Sequence, residues 1–503
     1  MILGIDLGTT NSSSAFLNDE SKPEVIINEK GQRLTPSVVF FKNLNEVVVG
    51  ENAAINNPLE DEKIIKNIKR RMGENYRAKV LGREFTPSEI SSLILKKIKK
   101  YSEEFLSEKI TDTVITVPAY FNHKQRAATK RAGEIAGFER INIINEPTSA
   151  LLAYNFINIE KEKNSVVVVV DIGGGTFDIT IMESKDGVQK VLATGGDIRL
   201  GGIDFDEKIV ELLIKNFKSA NDFDLRNDPI ALNQLYISSR KAKEDLSTLE
   251  NTTIVIPYIT ISEKGPLHLK YELTRKEFEL ISKDIVERIL SIIEKTFNEN
   301  NISYKLIDKI LFVGGSTRIP FLRERIIRFF ENKTEKSREY LLPKAKINPD
   351  EVVSMGAAIY GGIIEGKVKD MEFFDVVSYY LGIEEESGNF VPVINKNETY
   401  PLVKTKVFTT VYDNQEYIKI KILQKRELEE EANELGYFYL ENLPKVEAGT
   451  PNIDVEFAID KSGILKVVAL DLDSGKVNDI IIEDFERTND FIDERRGKNI
   501  IVL

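Results

Sequence analysis

Two short segments of the chain share one pattern, in which an apolar, strand-like run ends in Asp and is followed at once by Gly and Thr. They are residues 5–11 (IDLGTTN) and residues 170–176 (VDIGGGT). A carboxylate at a strand end can hold the water shell of a magnesium ion, and glycines let backbone N–H groups reach phosphate oxygens. The segments are about one domain length apart. They therefore predict two lobes that bind a nucleotide triphosphate and its magnesium ion across a cleft.

The composition excludes several other classes of protein. A chain of 503 residues is long enough for about three compact units. Its formal charge of −12 disfavours a nucleic-acid or anionic-membrane binder. The absence of Cys excludes disulfides and thiolate metal sites, and the two histidines, His123 and His268, make a histidine-ligated metal improbable. The first residues run directly into the Asp6 strand, and no apolar run reaches the roughly 18–20 residues of a membrane span. We expect a cytoplasmic protein.

Residues 1–366 have the pattern of an α/β unit. The strand-like runs are residues 114–117, 166–170 and 310–313. Between them, residues 88–108 carry apolar side chains near the 3.6-residue period, which predicts a helix that begins at Pro87 or Ser88. A second helix is predicted over residues 284–298.

The pattern changes after residue 366. Short alternating strands, such as residues 417–423 and 465–470, are separated by turn signals such as Lys461-Ser462-Gly463. We therefore predict an all-β domain over residues 377–485. Residues 367–376 form a connector without a Gly/Ser flexibility signature, and residues 486–503 form a charged tail.

Two further glycine segments need separate interpretations. Residues 314–318 (GGSTR) follow a strand-like run and form a third glycine turn with hydroxyl side chains. Residues 361–368 come one residue from a phosphate-binding P-loop, but Val368 stands where the magnesium-binding Ser or Thr is required. Residues 355–360 before it have a helical pattern, so we reject a P-loop there.

The chain resembles the seventy-kilodalton heat-shock chaperones of the DnaK type. The segments that carry the resemblance are GIDLGTTNS, VITVPAYFN, INEPTSALLAY, VDIGGGTFDIT, GGIDFD and FVGGSTRIP, and in the β domain LGIE, VFTTVYDNQ, IKILQ and GILKV. It extends over residues 1 to about 475. It implies a two-lobed, actin-like α/β ATPase with a ribonuclease-H-like core, followed by an all-β sandwich. It also implies ATP or ADP with Mg²⁺ as cofactors, with K⁺ as a further candidate, and a stress-response chaperone.

The resemblance assigns the catalytic roles to Asp6, Lys69, Glu146, Asp171, Thr176 and Asp178. Asp6 and Asp171 would hold magnesium through its waters, and Thr176 would lie near the γ-phosphate. Lys69 would position the attacking water and neutralise charge in the transition state. Taken without the family pattern, Lys69 is one member of a solvated basic run between residues 63 and 71.

The resemblance also implies a nucleotide-binding set. Its members are Gly8, Thr9, Thr10, Asn11, Gly173, Gly174, Gly175, Gly201, Gly202, Lys243, Ser247, Gly314, Gly315, Ser316, Arg318 and Asp350. Arg240 departs from the family, which has a Glu there that hydrogen-bonds the ribose. An arginine cannot accept that bond, so nucleotide affinity is expected to change. Asp350 has a second interpretation, as the cap of the helix that follows it.

A third set would couple nucleotide state to the β domain. It consists of Pro118, Arg126, Asp370, Phe373, Phe374 and Asp375. Family connectors have four aliphatic residues between two Asp, whereas this chain has Met-Glu-Phe-Phe there. An apolar connector can dock as an added strand in one nucleotide state. A J-domain co-chaperone is an expected partner, although Asn142 replaces an arginine of that docking surface. A nucleotide exchange factor is a second expected partner.

In the β domain, Ile383, Phe408, Val411, Ile418 and Ile420 match the family's groove for unfolded or extended peptide segments. Alternating apolar residues of a sandwich are also typical of its core, so this alternative stays open. Glu386 stands where the family has an arch-forming Met, which predicts a preference for peptides with Lys or Arg beside the apolar anchor. The helical lid of the family is not expected, so peptides should dissociate quickly.

Two other functions remain possible on the same sequence. The first is a small-molecule kinase on the actin-like core, against which the match of Lys69 and Glu146 to a water-activating arrangement argues. The second is a nucleotide-dependent scaffold with a nearly silent ATPase, which Arg240 and the altered connector favour. The main interpretation is a monomeric ATP-hydrolysing chaperone that binds neither nucleic acid nor a membrane.

Overall fold

The computed structural model describes residues 1–54, 62–157, 164–262, 265–343, 348–369, 371–472, 475, 477–481 and 500–503. Asp370 of the coupling set and residues 486–499 of the predicted tail lie outside these ranges. Within them, none of the helices has both the length and the apolar character needed to cross a bilayer.

The helices begin where local sequence signals place them. Thr86 accepts a hydrogen bond from the Glu89 N–H at 3.1 Å, and the Glu89 carboxylate accepts one from the Thr86 N–H at 2.7 Å. This capping box starts the first long helix at Pro87, as predicted. The helices are α1 (Glu51–Ala54), α2 (Pro87–Leu106), α3 (His123–Ile135), α4 (Glu146–Ile157), α5 (Gly202–Asn221), α6 (Pro229–Asp245), α7 (Arg275–Ile281), α8 (Lys283–Glu299), α9 (Pro320–Thr334), α10 (Arg338–Leu341) and α11 (Val352–Ile364).

The strands form separate sheets in the two parts of the chain. Before the β domain they are β1 (Ile2–Asp6), β2 (Asn11–Leu17), β3 (Pro23–Val25), β4 (Thr35–Pro36), β5 (Val39–Asn43), β6 (Glu46–Val49), β7 (Ile64–Ile65), β8 (Ala78–Val80), β9 (Arg83–Phe85), β10 (Asp112–Val117), β11 (Arg140–Asn145), β12 (Asn164–Ile172), β13 (Phe177–Lys185), β14 (Val188–Asp197), β15 (Asn251–Ser262), β16 (Gly265–Thr274), β17 (Lys309–Val313) and β18 (Glu372–Val376). The later strands are β19 (Tyr380–Glu384), β20 (Phe390–Ile394), β21 (Thr399–Tyr400), β22 (Leu402–Phe408), β23 (Tyr417–Lys425), β24 (Asn433–Glu441), β25 (Ile453–Ile459), β26 (Leu465–Asp471), β27 (Val477–Ile481) and β28 (Ile501–Val502).

Two lobes repeat one strand arrangement, and we name them after their sheets. The lobe I sheet has the order β11-β10-β1-β2-β3, with β1 parallel to β10 and antiparallel to β2. The lobe II sheet has the order β17-β12-β13-β14-β18-β21, with β12 parallel to β17 and antiparallel to β13. In each lobe the inner strand that carries the predicted aspartate therefore lies between a parallel and an antiparallel neighbour.

Helices α4 and α11 pack between the two sheets. Apolar residues of both helices share one core cluster with β12 and β17 of lobe II and another with β1 and β10 of lobe I. The helices approach each other closely at Gly356, where an added Cβ would lie 1.7 Å from the carbonyl oxygen of Ser149. This layer joins the lobes and places the ends of β1 and β12 on the two sides of a cleft.

The β domain is a sandwich of two four-stranded sheets. One has the order β20-β19-β23-β24 and the other β22-β25-β26-β27. Inward-facing residues such as Ile422, Leu435 and Phe457 are fully buried between them. The predicted strands over residues 417–423, 454–459 and 465–470 lie within β23, β25 and β26.

The connector lies against lobe II as a strand. Residues Glu372–Phe374 of β18 pair in parallel with Val188–Lys190 of β14. Glu372 is exposed to solvent, whereas the Phe373 ring packs edge-on against Tyr360 with their centroids 4.8 Å apart. The glutamate of the altered connector therefore carries no burial cost here.

Residues 500–503 differ from the charged tail assigned to residues 486–503. Ile501 and Val502 form β28, which pairs in parallel with β6 of lobe I. The physical reason is local composition, because these four residues are all aliphatic and can fill an unpaired sheet edge.

Candidate functional site

The two predicted aspartates end inner strands of opposite lobes. Asp6 is the last residue of β1, and its carboxylate accepts a hydrogen bond from the Thr116 hydroxyl at 3.2 Å. Asp171 lies one residue before the end of β12, opposite Asp178 of β13. Asp6 and Asp171 are close enough that each raises the other carboxyl's pKa or shares the same charged neighbours. The sequence pattern therefore brings both carboxylates to one site.

Negative charge at this site is undercompensated. Burial, and next the Glu146 carboxylate, raises the pKa of Asp6 to about 7. The same two causes raise the pKa of Asp178 to about 8 and the pKa of Asp171 well above its usual range. Four carboxyl groups thus surround the single ammonium group of Lys69. A divalent cation would supply the missing positive charge, so these residues fit a magnesium ion held through water.

Lys69 is a buried member of this cluster rather than part of a solvated run. It lies in the 3₁₀ helix Ile68–Arg71, and only 5% of its surface is exposed. Its ammonium group donates a hydrogen bond to the carboxylate of Glu146, the first residue of α4. The Phe121 ring lies below it, with the Nζ atom 5.9 Å from the ring centroid. Lys69 is therefore held in one position at the site.

Glycines let the lobes meet across the cleft. An added Cβ on Gly174 of lobe II would lie 2.0 Å from the Thr10 hydroxyl of lobe I. An added Cβ on Gly175 would lie 2.8 Å from both the Thr9 hydroxyl and the Arg70 Nε. The backbone of the second glycine turn thus lies directly against the Thr9-Thr10 turn, as a phosphate cradle built from both lobes requires.

Arg70 is a site residue that sequence reasoning missed. Its Nε donates to the Gly175 carbonyl oxygen at 3.1 Å, and its Nη2 donates to the Asp204 carboxylate at 2.8 Å. Asp204 also accepts from the Gly201 N–H at 2.7 Å and so caps α5. Arg70 therefore ties lobe I to the glycine turn and a helix start of lobe II. Its position beside Lys69 was the available signal.

The predicted adenosine set gathers on lobe II. The Ser316 hydroxyl donates to the Gly173 carbonyl oxygen at 2.8 Å, and the Lys243 ammonium donates to the Gly202 carbonyl oxygen at 2.9 Å. Lys243 also pairs with Asp206 at 2.8 Å. Gly314 has a φ of +80°, and an added Cβ would lie 2.4 Å from the Ile172 carbonyl oxygen. The third glycine turn thus packs against the strand that carries Asp171.

Other members of this set lie around the same turns. Ser247 lies one turn after Lys243 and donates to its carbonyl oxygen at 3.4 Å. Arg318 pairs with Asp350 at 2.6 Å, so the helix-cap hypothesis for Asp350 is wrong, and α11 begins at Val352 without a side-chain cap. Arg240 is exposed and pairs with Glu244 on its own helix at 3.3 Å. The remaining members are Gly8 and Asn11, which contact each other, Gly315, which lies beside Asp350, and Thr176, which is buried after the second glycine turn.

The predicted coupling residues lie between the lobes and the sandwich. The Asp375 carboxylate accepts from the Asn145 amide at 2.7 Å and the Thr148 hydroxyl at 2.8 Å, and burial raises its pKa. The Arg126 guanidinium donates to the Asn145 side chain and to the Phe121 carbonyl oxygen. Pro118 ends β10 and accepts from the Phe121 N–H at 3.1 Å. One network thus joins the connector to lobe I.

Tyr120 is a second residue that the sequence did not single out. Its N–H donates to the Asp178 carboxylate at 3.0 Å. Its carbonyl oxygen accepts from the Tyr379 hydroxyl at 2.8 Å, and its hydroxyl accepts from the Arg426 Nε at 2.9 Å. The Arg426 guanidinium also lies over the Tyr120 ring, 4.6 Å from its centroid. A single residue therefore contacts both the carboxylate cluster and the sandwich.

The predicted groove residues occupy different environments in the sandwich. Ile383 and Ile420 are buried in its core, Phe408 and Ile418 pack against that core while half-buried, and Val411 is 52% exposed. Above them, the Tyr412 hydroxyl donates to the Glu386 carboxylate at 2.9 Å. Two loops, one after β19 and one after β22, are joined by this bond. The core interpretation therefore holds for Ile383 and Ile420.

A family model described as Hsp70 protein matches residues 2–81 and 75–496. The match includes both lobes, the connector and the sandwich. It confirms the predicted fold class, a two-lobed actin-like ATPase followed by an all-β sandwich.

Proposed function

Because this chain belongs to the Hsp70 family, we propose that it is an ATP-dependent chaperone in which ATP hydrolysis controls the binding and release of short, extended apolar segments of other proteins. The family supports a chaperone function and ATP binding in general. The contacts described above support the finer assignments, which are argued below one at a time.

The nucleotide would lie across the cleft between the lobes. Asp6 and Asp171 would hold magnesium through its waters, and Thr9, Thr10 and the N–H groups of residues 173–175 would bind the phosphates. When bound, magnesium supplies positive charge that neutralises phosphate oxygens. The raised pKa values of the aspartates support this assignment, since they mark carboxylates that lack a compensating cation.

Lys69 would orient the attacking water and stabilise charge in the transition state. Its buried contact with Glu146 supports this role because it removes most of the freedom of a long side chain. Phosphoryl transfer depends mainly on positioning and on charge stabilisation. Glu146 would act as a positioning residue that holds Lys69 in place.

The observation that carries the proposal is the double contact of Tyr120. Its N–H holds Asp178 within the carboxylate cluster, while its hydroxyl and ring hold Arg426 of the sandwich. A change of charge at the cluster would therefore shift a residue on which the sandwich rests. Nucleotide state and peptide affinity would be coupled at this contact.

The same network suggests where co-chaperones would act. Asn145 and Thr148, which match parts of the family's J-domain surface, hold Asp375 of the docked connector. A J-domain that contacts this surface would influence connector docking directly. An exchange factor would act on the opening of the cleft, which Arg70 holds closed through Gly175 and Asp204.

The proposal is tested by following a fluorescein-labelled peptide with a Leu-Leu-Leu centre and flanking lysines. Addition of ATP and magnesium should speed its release at least tenfold over ADP and magnesium. In the variant Arg426→Ala this acceleration should largely disappear while ATP hydrolysis continues, because the contact with Tyr120 is lost. Lys425→Ala is the matched control, since Lys425 bonds only within its own domain, to the Leu428 carbonyl oxygen at 3.0 Å.

Two results would contradict the proposal. One is a release rate that is the same in ATP and ADP. The other is recovery of the γ-phosphate on an added sugar rather than as free phosphate, which would indicate a kinase. A labelled peptide with glutamates in place of the lysines should bind more weakly, because Glu386 lies beside the predicted groove.

The Tyr412→Phe substitution tests the bridge over the groove. Removal of the hydroxyl breaks the hydrogen bond to Glu386 and leaves the ring. We expect peptide dissociation in the presence of ADP to become roughly two- to fivefold faster, the size of effect typical of one exposed hydrogen bond. Tyr417→Phe on β23 is the control, since that exposed ring stacks on Tyr439 away from the bridge. An unchanged dissociation rate in Tyr412→Phe would show that the bridge does not retain the peptide.

A further inference from the structure

The edge of β6 in lobe I is covered by residues 500–503, which we call the clasp. The Ile501 N–H donates to the Asn45 carbonyl oxygen at 2.9 Å, and the Leu503 N–H donates to the Val47 carbonyl oxygen at 3.0 Å. The sheet order is β28-β6-β5-β7, so β6 would be an unpaired edge without the clasp. Such an edge accepts an extended segment through its backbone groups.

Side chains of the clasp alternate between core and solvent. Ile500 is 4% exposed and Val502 5% exposed, and both belong to the core cluster of lobe I together with Val47 and Val49. Ile501, between them, is 60% exposed. This is the period of a strand with one buried face. The contact is specific in register, because a shift by one residue would expose both buried side chains.

Helix α2 completes the binding site with two lysines. The Lys96 ammonium donates to the Ile500 carbonyl oxygen at 2.6 Å, and the Lys100 ammonium donates to the Val502 carbonyl oxygen at 3.4 Å. The lysines are one helical turn apart, and they contact backbone oxygens two residues apart. The clasp is therefore held on one side by a sheet edge and on the other by cations, with two apolar side chains inserted between.

The clasp also forms a second link between the domains. The chain leaves the sandwich at β27, which pairs with β26, and reaches β6 of lobe I at residue 500. We propose that the β6 edge is a strand-acceptor site, that residues 500–503 are its built-in peptide ligand, and that this clasp holds the sandwich against the two lobes. The inference concerns contacts outside the nucleotide cleft and the peptide groove, and it does not require ATP hydrolysis.

A releasable contact is consistent with the size of the clasp. Two inserted side chains, two ladder hydrogen bonds and two lysine contacts are the footprint of a short bound peptide rather than of an interior strand. The covalent linkage raises the effective concentration of this segment at the β6 edge. While the clasp is bound, separation of the sandwich from lobe I is restrained at two places, the connector and the β6 edge.

The test compares Val502→Asp with Ile501→Asp in the full chain without nucleotide. Hydrogen exchange of the last residues should be at least tenfold faster in Val502→Asp, because a charge cannot enter the core position. Ile501→Asp places the same charge on the solvent side of the same strand and should retain protection. Chymotryptic cleavage after Phe373 or Phe374 should be at least threefold faster in Val502→Asp only, since these residues lie in the paired connector strand.

Addition of a labelled peptide Lys-Asn-Ile-Ile-Val-Leu, which copies residues 498–503, supplies a second measurement. It should bind the Val502→Asp chain saturably and restore slow cleavage of the connector, which also shows that the acceptor site is folded. The same peptide with Asp at its fifth position should do neither. Equal exchange and cleavage in the two variants, or exchange that changes without any change in connector cleavage, would overturn the proposal. Failure of the peptide to bind Val502→Asp would overturn it as well.

Discussion

Replacement of Lys69 by alanine is expected to lower kcat for ATP hydrolysis by roughly 100- to 1000-fold. Removal of one preorganised charge-stabilising donor from a buried site has an effect of about 3–4 kcal/mol on the transition state. Lys69 fits this case because it is buried and held by Glu146. The measurement is single-turnover hydrolysis of ATP in excess protein, which separates the chemical step from nucleotide binding.

Arg71→Ala is the matched control for this substitution. Arg71 lies two residues away in the same 3₁₀ helix, but its side chain is half-exposed and pairs with Glu74 at 3.1 Å. Its rate should stay within about threefold of the unmodified protein. A decrease of less than threefold in Lys69→Ala, equivalent to about 0.65 kcal/mol, would show that Lys69 has no catalytic role.

The affinity for magnesium-ADP is expected to fall by ten- to a hundredfold between pH 8 and pH 6. The pKa of Asp6 is about 7 and that of Asp178 about 8 in the protein without nucleotide. Above these values the groups are carboxylates that attract the cation, and below them they are neutral. Each group that must ionise weakens binding by up to about tenfold for every pH unit below its pKa. Isothermal titration calorimetry measures the affinity at each pH and the protons released on binding.

The Asp178→Asn variant isolates the contribution of the protein, because the nucleotide's own protonation is the same in both chains. Asparagine keeps an oxygen that can accept the Tyr120 N–H but does not ionise. Its affinity should change little between pH 8 and pH 7 and should fall below pH 7, where Asp6 protonates. Superimposable pH profiles for the variant and the unmodified protein would contradict the role assigned to this carboxyl group.

The raised pKa values also predict the direction of stability without nucleotide. The unfolded chain releases the protons of Asp6 and Asp178 near pH 4, whereas the folded chain retains them to about pH 7 and pH 8. The folded state therefore binds more protons over this window, and stability falls as pH rises through it. Between pH 6 and pH 8 the two groups together correspond to a loss of about 2–4 kcal/mol. Bound magnesium-nucleotide should reverse this loss.

Local signals predicted much of the fold. The capping box of Thr86 and Glu89 explains why α2 begins at Pro87, and the alternating pattern of residues 465–470 corresponds to β26. These elements depend on side chains within a few positions of one another, so the sequence is sufficient to place them. The assignment of Asp350 as a helix cap was wrong because Arg318, distant in sequence, binds its carboxylate.

The candidate site was predicted in part. Asp6 and Asp171 could be found because each ends a strand and is followed by its own glycine turn. Arg70 and Tyr120 could not be given roles, since their partners Asp204 and Arg426 come from other parts of the chain. Their residue types alone do not distinguish a bridge between domains from an ordinary surface side chain.

The sequence by itself determined which segments become strands, helices and glycine turns, because those preferences are set by backbone conformation and by the period of apolar side chains. Only the tertiary structure decided which surfaces meet. The burial of Ile383 and Ile420 in the sandwich core, the docking of the connector on β14, and the pairing of residues 500–503 with β6 all depend on partners far along the chain. Such pairings are chosen by which unpaired edges and apolar faces remain to be covered once the domains have formed, and no local pattern records that choice.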